Sequence, residues 1–338
     1  MINIAKASNE EREVLFSNAA QRAGIDNPAI VEKDFWVTLV LDYLFHKSPW
    51  QKSFIFKGGT SLSKAYHIIE RFSEDIDLIM DWRLLGYAVG EPWENRTRTQ
   101  QDKFNKKVVQ QASQFLASRF VPAITEGLSG LIGKPVDISM DPRDKEQCTV
   151  NIYYPHVFNA DYIRQEIRLE IGPLAEWTPS HEAEIQSIAA DQYTSAFIQS
   201  GTTVPTIDAE RTFWEKATIL HKTAASYETK GIPDRYARHY YDLYSMSKTA
   251  IKEKAFKRAD LLAQDITFKL KFYYSKNASY ETAKIGSLKL IPSEAAIKEL
   301  KTDYEHMKGM IYGEKPSFEA IITGLTALEK EINELPVS

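Results

Sequence analysis

An α+β fold is what the sequence predicts, and three observations predict it. Apolar residues recur at helical spacing before residue 50 and again from about Asp208 to the end. Between these stretches, roughly residues 50 to 175 mix period-two alternation and short apolar runs with helical spacing, the pattern of a sheet and its connecting helices. At 338 residues the chain also exceeds the roughly 250–300 residues that one hydrophobic core supports, so more than one lobe is expected.

The elements follow in order. Residues 9–24 and 28–46 read as helices, the second opening after Asn27-Pro28 with Ile30, Val31, Phe35, Leu39 and Tyr43 near helical spacing. Ser53 to Phe56 is a short buried strand stopped by Gly58-Gly59. Leu62, Ala65, Tyr66 and Ile69 then fall at i, i+3, i+4 and i+7, which predicts an amphipathic helix from Thr60 or Ser61. Asp75-Ile76-Asp77-Leu78-Ile79 switches to period two. Residues 100–126 read as helix, Cys148 to Tyr154 and Gln165 to Ile171 as strands. The expected organisation is N-terminal helices over 1–48, an α/β core with a small mixed sheet over 49–205, and a large helical lobe over 206–338.

Composition narrows the function. Hydrophobic residues at 43 % and charged residues at 26 %, with 15 Gly and 14 Pro, exclude a disordered or fibrous chain. The balance of 42 basic against 46 acidic side chains gives a net charge of −4, so no global field draws the molecule to a polyanion. The basic stretches Arg96 to Lys107 and Lys248 to Lys271 read as solvated helix faces. The single cysteine, Cys148, excludes an intramolecular disulfide and a cysteine-type metal site and fits a reducing compartment. The opening residues become charged too early for a signal peptide, and the most apolar segment, Phe35 to Phe45, is too short to span a bilayer and carries Asp42. A soluble cytoplasmic protein with no membrane contact is expected. Trp36, Trp50, Trp82, Trp93, Trp177 and Trp214 are scattered and read as packing residues.

The chemistry concentrates in the stretch from Phe54 to Leu78. A strand, two glycines and a hydroxyl residue opening a helix expose backbone N–H groups at a helix N-terminus, where oriented peptide dipoles stabilise an anion such as a phosphate. Gly58 and Gly59 permit close approach and any positive φ that the turn needs. On the next strand Asp75 and Asp77 share one face, their Cα atoms roughly 6.5–7 Å apart. Two carboxylates at that spacing can converge on Mg²⁺, which binds through one or two carboxylates together with substrate phosphates. A phosphate seat and a magnesium site are complementary halves of one reaction.

These residues resemble the nucleotidyltransferase superfamily related to DNA polymerase beta, in which a Gly-Gly or Gly-Ser turn precedes an Asp-x-Asp strand. The wording Phe-Lys-Gly-Gly-Thr-Ser-Leu-Ser-Lys followed by Arg71-Phe-Ser-Glu-Asp-Ile-Asp-Leu is similar, more narrowly, to the AbiEii/AbiGii toxin family, with weaker echoes to about residue 245. The resemblance implies a nucleotidyltransferase-fold core. It implies Gly59, Thr60 and Ser61 as the nucleotide-phosphate turn, with Lys57, Gly58, Arg71, Ser73 and Arg238 joining the nucleotide-binding set, and Asp75 and Asp77 as magnesium ligands.

Three further positions follow from it. The superfamily often adds a third carboxylate from a later strand; in Gln165 to Ile171, Glu170 fits the hydrophobic–acid–hydrophobic pattern better than Glu166, although Glu166, Arg168 and Glu170 also read as a same-face charge ladder. In Asp208 to Ala217, Lys216 borders an apolar stripe of Phe213, Ala217, Leu220 and Ala224, where its ammonium could reach a triphosphate or simply snorkel. In Arg235 to Tyr244, Asp242 becomes a catalytic carboxylate and Arg235 or Arg238 a phosphate or Lys216 neighbour; taken as residues alone, Arg238 and Asp242 are an intrahelical i, i+4 pair.

No histidine set has metal-ligand spacing, and neither a Walker lysine motif nor a Gly-x-Gly-x-x-Gly fingerprint is present. The implied activity is Mg²⁺-dependent transfer of a nucleoside monophosphate from an NTP to an acceptor hydroxyl, a tRNA 3′ end or other RNA, by a toxin restrained by a cognate antitoxin protein. Two other readings stay open: a catalytically silent nucleotide-binding protein acting through protein contacts, and nucleotidylation of a small molecule or a protein hydroxyl.

Overall fold

The computed structural model describes residues 1–159, 163–175 and 178–336. Trp177 lies outside the described residues. The chain divides into two compact units, residues 1–65 with 72–207, and residues 66–71 with 208–338.

The first unit is built on a seven-stranded mixed sheet. Its strands are β1 (Phe54–Lys57), β2 (Asp75–Met80), β3 (Asp137–Met140), β4 (Thr149–Tyr153), β5 (Glu166–Gly172), β6 (Ser180–Gln186) and β7 (Gly201–Ile207), in the order β3-β4-β5-β2-β1-β7-β6. β2 is the central strand; it runs antiparallel to β1 and parallel to β5, while β1 runs parallel to β7. In β2 and β5 the alternation read from the sequence holds: Ile76, Leu78, Ile167 and Leu169 are buried, and Asp75, Asp77, Arg168 and Glu170 lie on the other, half-exposed face.

β3, β6 and β7 carry little sequence signal. β3 is four residues long, β6 is a polar edge strand with mostly exposed residues, and β7 contains Pro205, which ordinarily argues against a strand.

The helix Asn9–Ala23 begins in a capping box of Ser8 and Glu11 and ends at Gly24 in the left-handed region. Pro28–His46, capped by the Asn27 side chain, is buried along its length from Ala29 to Phe45, as a core helix must be when apolar residues surround it. That burial takes in Glu32, Lys33, Asp34 and Asp42, each of which needs a polar partner inside. Arg98–Phe115 passes through a π-helical turn at Leu116–Phe120 into Val121–Ile132.

The helix expected from Thr60 through Ile69 is shorter, Gly58–Lys64. His67 has a φ of +51°, outside any right-handed helix, so Tyr66 and Ile69 cannot extend the stripe. Residues 66–71 instead belong to the second unit, where Arg71 bridges Ile311 and the Glu70 carbonyl accepts from Tyr312 N. The rest of that unit is helical, with Ala209–Lys230 packed against Ala237–Ser247, Ile251–Lys257 and Asp260–Phe272. Glu294–Met307 and Phe318–Asn333 complete it, both against Ala237–Ser247.

Candidate active site

The first unit brings the diglycine turn and the aspartates together. β1 and β2 pair with Lys57 opposite Asp77, so the chain leaves β1 beside the second aspartate. Gly58 turns with φ +79°, and a Cβ there would lie 1.9 Å from Asp77 Oδ2. Only glycine fits that space, because the Asp77 carboxylate fills it.

The hydroxyls of the turn are used inward. Thr60 Oγ1 donates to the carbonyl of Asp75, with a longer contact to that of Ser73 at 3.4 Å, and Ser61 Oγ donates to the Gly58 carbonyl at 2.8 Å. Both side chains are buried. What Thr60 and Ser61 offer an anion is therefore backbone N–H, which carries no intrahelical partner in a first turn. Thr60 also ties the turn to the start of β2. At its far end the short helix is fixed by Lys64, which pairs with Asp34 and donates to the Gln186 carbonyl at 3.1 Å; Asp34 accepts in turn from Ile188 N at 2.7 Å.

β5 carries the two acids weighed for a third carboxylate, Glu170 and Glu166. Parallel pairing sets Arg168 beside Asp75 and Glu170 beside Asp77, all on one face. Glu166 lies further along the strand and is taken by Arg143 at 3.0 Å. The same-face charge ladder is real as well: Arg168 Nη1 lies 3.0 Å from Glu170 Oε1 and 3.5 Å from Asp75 Oδ1. Among the described residues no three His, Cys, Asp or Glu side chains stand close enough to enclose a metal ion. Asp75 and Asp77 on one strand face, with Glu170 beside them, are oxygen donors of the kind that suit a hard cation completing its shell with phosphate oxygens and water, as Mg²⁺ does.

Behind β2, Lys33 reaches Glu74 Oε2 at 3.4 Å and donates to the Arg164 carbonyl at 2.8 Å. Burial pulls the Lys33 ammonium down, against the attraction of Glu74 and Asp75. Lys33 and Asp34 thus pin the two pieces of the site from one helix, a role that its apolar pattern conceals. The sign available in the sequence is the run Glu32-Lys33-Asp34 inside a mostly apolar helix.

The second unit holds the other predicted residues. Asp242 is fully buried and accepts two hydrogen bonds from Arg71, Nε to Oδ1 at 2.6 Å and Nη2 to Oδ2 at 2.8 Å, and one from Lys216 Nζ at 2.8 Å. Burial pushes its carboxyl up, but Arg71 and Lys216 outweigh burial and hold it well below the usual carboxylate range. Burial draws the Lys216 ammonium down, opposed by Asp242. Burial and then Lys216 and Arg238 hold His239 well below the ordinary imidazole range, so His239 is neutral and its Nδ1 accepts from Lys216 at 3.2 Å. Two cations on one carboxylate leave an excess of one positive charge, to which neighbouring Arg238 adds. Asp242 therefore pairs with Arg71 and Lys216, both from outside its own helix.

No curated protein matches the chain significantly. Among solved structures it is similar to MenT4, a nucleotidyltransferase toxin from Mycobacterium tuberculosis H37Rv, at 14 % identity over 95 % of this chain and 97 % of that one, with a TM-score of 0.40. It is similar too to JHP933 from Helicobacter pylori, at 13 % identity over 91 % of this chain and 98 % of that one, with a TM-score of 0.35. The model of the AbiEii family, nucleotidyl transferase toxins of type IV toxin–antitoxin systems, matches residues 41–324, and the chain therefore belongs to that family and is a nucleotidyltransferase.

Proposed function

We propose that this toxin transfers a nucleoside monophosphate from an NTP to a hydroxyl at the 3′ end of tRNA or another RNA, with Mg²⁺ as its metal ion. Family membership brings the NTP substrate and an antitoxin partner; the metal and the acceptor are the further step. The observation that supports it most is the Asp77 carboxylate seated against Gly58, beside Asp75 and Glu170 on adjacent strands.

Asp75 and Asp77 would hold Mg²⁺ with Glu170 beside them, and the ion when bound neutralises charge on the phosphates and on the leaving pyrophosphate. The backbone of Gly58 to Ser61 binds phosphate oxygens, with Lys57 and Ser73 at its margins. Glu170 would accept the proton of the attacking hydroxyl or share the ion. In the second unit Lys216, Arg71 and Arg238 are cations of the kind that serve phosphate, and Asp242 keeps Lys216 and Arg71 charged and oriented. The protein's contribution is positioning and charge neutralisation.

No described helix is long and apolar enough to cross a membrane, and a cytoplasmic setting suits an NTP donor. The decisive experiment incubates the protein with Mg²⁺, each labelled NTP and total tRNA. Label on RNA from wild type and none from Asp77→Ala is the expected result. Label on a small molecule or on protein, with none on RNA, would redirect the acceptor, and NTP binding without transfer to any acceptor would overturn the reading.

A further inference from the structure

Arg168 stands in the middle of the acidic face. Its Nε donates to Asp141 Oδ2 at 3.1 Å, while Nη1 meets Glu170 and Asp75 at 3.0 and 3.5 Å. Asp141 is itself fully buried and takes two side-chain hydrogen bonds from Arg143, at 2.9 and 3.0 Å, and one from Arg143 N at 2.9 Å. Hydrogen bonding from the Arg143 side chain, outweighing burial, holds the Asp141 carboxyl well below the usual range. It is a permanent anion turned into the protein, and it fixes one edge of the Arg168 guanidinium. A planar guanidinium held at Nε presents Nη1 in a set direction. That direction is toward two of the three acids read as metal ligands.

Carboxylates crowded on one sheet face repel one another unless a cation lies among them. We propose that Arg168 is the resident counter-ion of this face: its Nη1 balances the charge of Asp75 and Glu170, these contacts are those that a divalent ion displaces, and Asp141 keeps the side chain anchored during the exchange. Arg168 is thus a positioning residue that acts through Asp75 and Glu170 and sets the affinity for the ion. The inference rests on the metal reading of Asp75 and Asp77 given above.

The test titrates Mn²⁺ into the full-length protein, following free ion by electron paramagnetic resonance, and records melting temperature against Mg²⁺ concentration. Arg168→Gln removes the Nη1 cation from Asp75 and Glu170, so its Mn²⁺ affinity should rise roughly threefold to tenfold, and Mg²⁺ should stabilise it more than wild type. Asp141→Asn should do the reverse, because it removes an anion and releases the whole guanidinium charge to Asp75 and Glu170. Unchanged or weaker Mn²⁺ binding by a folded Arg168→Gln overturns the proposal. Should that variant fail to fold, Asp141→Asn carries the test, and unchanged or tighter binding there overturns it. Saturable Mn²⁺ binding by wild type that Asp77→Asn abolishes upholds the metal reading independently, so an adverse result with the Arg168 and Asp141 variants then falls on this proposal alone. Absence of saturable binding by wild type overturns both.

Discussion

The Asp77 carboxylate occupies the space where a side chain on Gly58 would have to be, its Oδ2 only 1.9 Å from that Cβ position. Gly58→Ala therefore acts twice. It forces an L-residue into φ +79°, at about 1–2 kcal/mol, and it pushes the carboxylate off its seat. Displacing a catalytic group by an ångström can cost on the order of 100-fold in rate. Denaturant unfolding should show the small loss, and the NMP-transfer assay a much larger one than that loss explains.

Thr60→Val tests the tie between the turn and β2. The substitution preserves shape but removes the hydroxyl that donates to the Asp75 carbonyl. Losing one such hydrogen bond costs about 0.5–1.5 kcal/mol. Transfer should fall while the folded spectrum is retained, since the turn loses its fixed position relative to Asp75.

The sequence made the phosphate turn and the aspartate strand legible because their residues are neighbours in the chain and their geometry follows from local periodicity. Flanking apolar residues alone rank Glu170 above Glu166, and the register sets Glu170 beside Asp77. Pairings between distant elements were not legible. Arg71 and Asp242 are 171 positions apart, and nothing in either neighbourhood announces the bond. Asp141 sits in an ordinary-looking Asp-Pro segment whose burial becomes visible only when β3 lines up with β4 and β5. The helix past Lys64 was over-extended because Ile69 is buried like a stripe residue, although its burial comes from packing outside a helix.

Asp242→Asn leaves Arg71 and Lys216 buried against a neutral amide, and breaking a buried pair in this way costs about 3–5 kcal/mol. The pH dependence follows from the direction of the Asp242 shift. Its folded pKa lies below the unfolded value, so its stabilisation is complete above the ordinary carboxylate pKa of about 3.9 and is lost as pH falls from there toward the folded value. Urea unfolding of wild type and Asp242→Asn should thus differ by a constant amount from pH 7 to pH 5 and converge below about pH 4.

Lys216→Met separates structure from chemistry in the same cluster. The ammonium is desolvated and already drawn downward by burial, and the bidentate Arg71–Asp242 pair survives its removal. Because Asp242 keeps its bidentate partner and the desolvated ammonium is gone, the melting temperature should fall less than in Asp242→Asn. NTP turnover should fall roughly 100-fold if the cation serves phosphate. Equal losses in stability and turnover would reduce Lys216 to a packing residue.

Glu170 and Glu166 provide an internal comparison on one strand. Both face the same side of β5, and both contact arginine, Glu170 through Arg168 and Glu166 through Arg143, each at 3.0 Å. Removing the Glu166 charge loses one ion pair with an arginine whose side chain is 55 % exposed, worth at most about 1 kcal/mol. Removing the Glu170 charge takes an acid from beside Asp77 and leaves Arg168 with Asp75 and Asp141 alone. Glu166→Gln should therefore keep transfer within about threefold of wild type, whereas Glu170→Gln should lose on the order of 100-fold, as expected for a general base or a shared ligand. The two variants share a strand, a face and a type of partner, so an equal effect on transfer would remove Glu170 from the catalytic set and return it to the ladder of surface charges.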